Sequence, residues 1–188
     1  MFLSKQEKVK RIIKFTNVIG GIDREQVMKL TDCTDQSAGA FLSYLSTTKL
    51  KKLKGLEDYI PKTSKYDVYE NKQRALGWAL INSGIDLTLD NDTDTFEKTS
   101  FPFDLWVVKE FDSYLFTYID SDMIKKIKTV QDAYNNRIIT EVGNPDVVVF
   151  VVTSNALADE ILDMNLAFEF KVAYVKDLAT GETEFLAN

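Results

Sequence analysis

Residues 34–52 read TDQSAGAFLSYLSTTKLKK. Thr34 and Asp35 are cap-type residues that can satisfy the free N–H groups of a helix start. Ala38, Phe41, Leu42 and Leu45 then recur at i, i+3, i+4 and i+7, which makes one apolar stripe on a helix. That stripe turns Gln36, Ser37, Gly39, Ala40, Ser43 and Tyr44 outward. Such a face carries hydrogen-bonding groups and little bulk, as a helix needs in order to approach base edges in the major groove. Leu50-Lys51-Lys52-Leu53-Lys54 follows, a short strand pattern with exposed lysines.

Two helices precede this one. Val9, Ile12 and Ile13 share a face, with Phe15 and Val18 beside it. Ser4 and Glu7 have the spacing of a capping box, and Gly20-Gly21 ends the helix. Asp23 caps a second, shorter helix through Leu30, with Val27, Met28 and Leu30 as its buried set. Beyond the lysines, Tyr66-Asp67-Val68-Tyr69 has the composition of a return strand. Helix, short helix, helix and basic ribbon resembles a winged helix-turn-helix over residues 4 to about 70. The resemblance implies a double-stranded DNA-binding domain over 1–70. It makes the third helix the reader, through Gln36, Ser37, Ser43 and Tyr44. It places Lys49, Lys51, Lys52 and Lys54 on phosphates, contacts that position a protein without reading sequence.

Composition separates this front from the rest. The 188 residues carry a net charge of -6. Residues 1–55 hold 11 Lys+Arg against 5 Asp+Glu, and residues 56–188 hold 12 against 24. A basic front suits a polyanion, whereas an acidic body repels one and suits a homodimer contact or a protein partner. No apolar run reaches the ~20 residues of a membrane span. The N-terminal MFLSKQEKVKR lacks the apolar core of a secretion signal. Cys33 is the only cysteine, which fits a reducing cytoplasm. With no histidine in the chain, Ser-His-Asp and Cys-His catalysis are excluded. No phosphate-loop or dinucleotide fingerprint occurs, and no cofactor is expected.

Residues 71–100 read as a connector. Asn71 to Ile81 forms a helix with Leu76, Trp78 and Leu80 buried, closed by Gly84, and a loop containing a short strand follows. Asp90, Asp92 and Asp94 have the first spacings of a calcium loop. Thr95 and Phe101 occupy the places where that loop needs glycine and glutamate, so no metal site is expected.

Residues 101–188 change to an α/β pattern. Phe103–Val108 and Tyr114–Ile119 read as a strand pair, and Ser121 caps a helix running to about Asn136. Asp146–Thr153 is a continuous apolar run, the sign of a strand covered on both faces. Asn155–Met164 is helical and Phe168–Val175 is the next strand, so a parallel crossover is expected. The fold class is therefore α+β with an α/β body on a mixed sheet. With the front module, the order FPFDL, YLFTYID, helix, VVVFVVTS, helix, strand resembles the plasmid replication-relaxation proteins. These are small DNA-associated proteins of bacterial plasmids and integrative elements. Their second domain is similar to a PD-(D/E)XK nuclease-like fold.

That resemblance implies two acids holding Mg²⁺ and a water-activating lysine. Pro102 and Asp104 stand for the first half and Asp120 closes the second strand. Thr117-Tyr118-Ile119 falls where an acid-x-Lys would be. A literal match lies elsewhere: Pro145-Asp146 and Glu169-Phe170-Lys171. A helix separates its halves, whereas the nuclease motif sits on a hairpin. The expectation is a DNA-binding protein of a mobile element, acting in replication, transfer or transcriptional control, with a non-catalytic body. A Mg²⁺-dependent nuclease using Asp146, Glu169 and Lys171 is one alternative, and a protein-interaction or antitoxin-like module is another.

Overall fold

A computed structural model describes residues 3–87, 94–110, 112–121, 124–135 and 146–187. The aspartates at 90 and 92 and Pro145 lie outside these residues. The chain has a mixed α and β architecture. Helix α1 (Lys5–Ile19) starts on the expected capping box: Ser4 N–H donates to Glu7 Oε2 at 2.6 Å, and Glu7 N–H donates to Ser4 Oγ at 3.3 Å. It ends at Gly20 with φ 100°, a left-handed turn that glycine adopts without steric cost. Strand β1 (Ile22–Asp23) leads directly into α2 (Arg24–Thr31), whose cap Asp23 is reciprocated by Gln26. Helix α3 (Asp35–Thr48) is capped by Thr34 and buries Ala38, Phe41, Leu42 and Leu45, the stripe read from spacing.

Strands β2 (Leu50–Lys52) and β3 (Asp58–Pro61) form a hairpin, and β3 also pairs with β1, giving the order β1-β3-β2. This corrects the expected return strand at Tyr66–Tyr69. Lys52 pairs with Tyr59, so the six residues between them close the turn, and Gly55 takes φ 78° within it. A short closure costs less chain entropy than one reaching residue 66. Tyr59 and Ile60 also supply the buried side chains. Pro61 pairs only at the strand end, where its missing N–H removes no internal ladder bond. Tyr66 is left 74% exposed.

Helix α4 (Asn71–Asn82) buries the expected Leu76, Trp78 and Leu80 and with them all of Ala75 to Leu80, Trp78 at 0% exposure. One buried cluster runs from Ile12 and Phe15 through Trp78 and Leu80 to Val149 and Val175. The helix therefore lies between the N-terminal helices and a sheet face. Two polar ties add to this packing. Arg74 forms ion pairs with Asp23 and with Asp58 (2.8 Å) while stacking over Tyr69 at 4.5 Å. Trp78 Nε1 donates to the Leu178 carbonyl at 2.8 Å. Gly181, at φ 74°, lies against the Trp78 ring, so closely that an added Cβ would overlap it.

The body is a six-stranded mixed sheet in the order β4-β5-β6-β7-β8-β9. Its strands are β4 (Thr95–Lys98), β5 (Leu105–Lys109), β6 (Asp112–Tyr118), β7 (Val147–Val152), β8 (Phe170–Val175) and β9 (Thr183–Ala187). Strands β5 and β6 form the expected antiparallel hairpin, and β6, β7 and β8 run parallel. Every residue of β7 is buried. Val147, Val149 and Val151 face the α4 cluster, whereas Val148, Phe150 and Val152 join a second cluster with α5 (Lys125–Asn135) and α6 (Asn155–Leu162). Period-two alternation in a run with no polar break thus feeds two cores from one strand. Edge strand β9 had no counterpart in the sequence reading. No helix among the described residues is long and apolar enough to cross a membrane.

Candidate nucleic-acid interface

Burying the 38/41/42/45 stripe fixes what α3 presents outward. Gln36, Ala40, Ser43, Tyr44 and Thr47 are exposed, Tyr44 at 61%. Helix α3 packs on α2 and β2, so its polar side is not turned toward the acidic sheet. Ser37 differs from the expectation. It is half-buried, and its Oγ accepts a hydrogen bond from the cap Thr34 Oγ1 at 3.1 Å. Gly39 is also covered, because the Arg24 guanidinium lies 3.0 Å from where a Cβ would stand.

The four lysines expected on phosphates fall into two classes. Lys49 and Lys54 are exposed and form no side-chain ion pair among the described residues. Lys51 is paired with Asp67. Lys52 is paired with Glu57 at 2.5 Å and lies over the Tyr59 ring at 5.9 Å. The hydrogen bond to Glu57 raises the Lys52 pKa, and the same bond lowers that of Glu57. Two further cations border this surface and escaped the sequence reading. Lys62 Nζ donates to the Thr47 carbonyl at 2.8 Å, at the end of α3. Arg24 holds Asp35 through Nε at 2.6 Å and Nη2 at 2.7 Å. Asp35 therefore meets solvent already balanced. The available signal was Gly39, a helix-interior glycine that makes room for a side chain from α2.

Asp146, Glu169 and Lys171 of the literal nuclease match lie at the starts of β7 and β8. Asp146 Oδ2 accepts from Ser113 N–H at 2.7 Å and Ser113 Oγ at 3.0 Å. Glu169 is exposed just before β8. Lys171 lines a cavity of about 620 Å³ with Tyr114, Phe116, Val149 and Phe185. Burial is the first cause raising the Tyr114 pKa, followed by Asp112, with Asp146 and Glu169 adding to it. The two halves sit on neighbouring parallel strands, not on a hairpin. Among the described residues, no three carboxylates, cysteines or histidines gather as a metal shell.

The hairpin half-motif has a lysine after all. Asp104 Oδ2 accepts from Tyr118 N–H at 2.8 Å and Lys126 Nζ at 3.1 Å, and its Oδ1 pairs with Lys72 at 2.6 Å. Lys126 is 5% exposed, and burial lowers its pKa, with Asp104 opposing that shift. Both oxygens of Asp104 are thus occupied by ammonium groups. Nearby Asp120 keeps one buried carboxylate oxygen without a hydrogen bond among the described residues. Lys126 was legible only indirectly: it stands four residues before buried Val130, on the apolar side of α5. No family model, curated protein or solved structure matches this chain.

Proposed function

We propose that the chain binds double-stranded DNA through α3 and the β2–β3 hairpin, in the manner of a winged helix-turn-helix. The observation that carries this reading is the solvent-facing side of α3, with Gln36, Ala40, Ser43 and Tyr44 exposed and flanked by Lys49 and Lys54, which form no ion pair among the described residues. Short side chains let a helix backbone sit deep in the major groove, and the flanking ammonium groups meet the phosphates on either side. The order helix, strand, helix, helix, hairpin supports the same reading.

In this reading the body is a non-catalytic, nuclease-like platform for a second copy or another protein, and the whole acts in replication, transfer or control of a bacterial mobile element. The ammonium-saturated Asp104 favours it over hydrolysis at that place. The test is salt-dependent retention on duplex DNA. Lys49→Ala/Lys54→Ala should weaken binding and flatten the plot of log affinity against log salt by up to about 1.8, roughly 0.9 for each lost phosphate contact. Equal affinity and slope in both proteins would end the proposal.

A further inference from the structure

Three cations beside the open side of α3 are held by carboxylates of the same chain: Arg24 by Asp35, Lys52 by Glu57 and Lys51 by Asp67. In each pair the acid is the more exposed partner. Asp35 is 64% exposed against 35% for Arg24, Glu57 61% against 45% for Lys52, and Asp67 76% against 36% for Lys51. An approaching phosphate therefore meets a carboxylate before it meets the cation. Arg24 also acts electrostatically on both Lys52 and Glu57, so the first two pairs are neighbours on one surface.

We propose that Glu57 and Asp67 are intramolecular rivals of the DNA phosphates, holding Lys52 and Lys51 away from loosely bound duplex of arbitrary sequence. The inference rests on the DNA-binding reading and concerns regulation of that same surface. Exposed ion pairs are weak, so the acids do not lock the lysines permanently. They remove two positive charges from the sequence-independent attraction, which scales with the number of phosphates neutralised. Lys49 and Lys54 are left to sustain loose encounters. A site that aligns α3 with its bases would keep the hairpin in place long enough for phosphate to displace the acids.

The experiment compares the full chain with Glu57→Gln/Asp67→Asn on a mixed-sequence duplex across a salt series. Both substitutions keep side-chain shape on exposed residues, and far-ultraviolet circular dichroism confirms equal folding. The variant should show a salt slope steeper by about 1.8, and at ~0.1 M salt an affinity higher by up to roughly 60-fold, about eightfold for each added contact. A wild type that barely binds beside a variant that binds also supports the proposal. A wild type that binds, with an unchanged or weaker variant, overturns the rivalry and leaves the DNA reading standing. Absence of salt-sensitive binding in both proteins overturns the two together.

Discussion

Arg74 offers the sharpest test of how the N-terminal elements are joined to the body. Its guanidinium lies between Asp23 at the start of α2 and Asp58 on β3, with side-chain exposures of 15%, 9% and 10% for the three groups. Arg74→Met keeps the aliphatic stem and removes the charge, leaving two largely buried carboxylates facing each other. Breaking a buried pair from one side costs about 3–5 kcal/mol, because the remaining charge stays desolvated. For a chain of this length each kcal/mol corresponds to about 2–4 °C, so Tm should fall by roughly 6–20 °C. Burial already raises the Asp23 pKa above its ordinary 3.8, and Asp58 adds to this while Arg74 opposes it. Without Arg74 the folded-state value rises further. A carboxyl raised in the folded state contributes stability below its unfolded pKa and loses it as pH climbs through the folded value. Urea unfolding at neutral pH and near pH 4 should therefore show a deficit in the variant that shrinks on acidification. A variant as stable as wild type at neutral pH, or a deficit of equal size at both, would refute the reasoning.

Other substitutions probe separate links. Gly181→Ala places a methyl group into the Trp78 ring at a backbone φ of 74°, so a loss of about 1–3 kcal/mol is expected from overpacking. Unfolding followed by tryptophan fluorescence would measure it. Thr34→Ala removes the oxygen that receives the Ser37 N–H at 3.3 Å and should cost about 1 kcal/mol. The effect should appear as faster amide exchange in the first turn of α3, with the sheet unaffected.

The front of the chain was legible where short-range rules decide structure. Caps at Ser4 and Asp23 and the stripe on α3 follow from local sequence, which leaves Thr34 and Asp35 both open as the α3 cap, and β7 announced its burial through six uninterrupted apolar residues. The hairpin partner was misplaced because Tyr66–Tyr69 and Tyr59–Ile60 carry similar strand propensity, and loop closure rather than composition chose between them. Ser37 and Gly39 faced outward by helical period but were covered by side chains from the cap and from α2, which period does not report. Lys51 and Lys52 look like free cations in the sequence because their acids lie sixteen and five residues further on, respectively. Lys126 and Asp104 meet only once α5 is laid against the sheet.

Helix α4 has consequences beyond stability. Its middle turns are enclosed by helices on one side and strands on the other, and the Trp78 ring is latched to the turn before β9. Swinging one half of the chain against the other would uncover that ring and strand three charges at Arg74. That packing opposes hinge motion, so it is expected to hold the far sheet at a constant bearing to the polar side of α3.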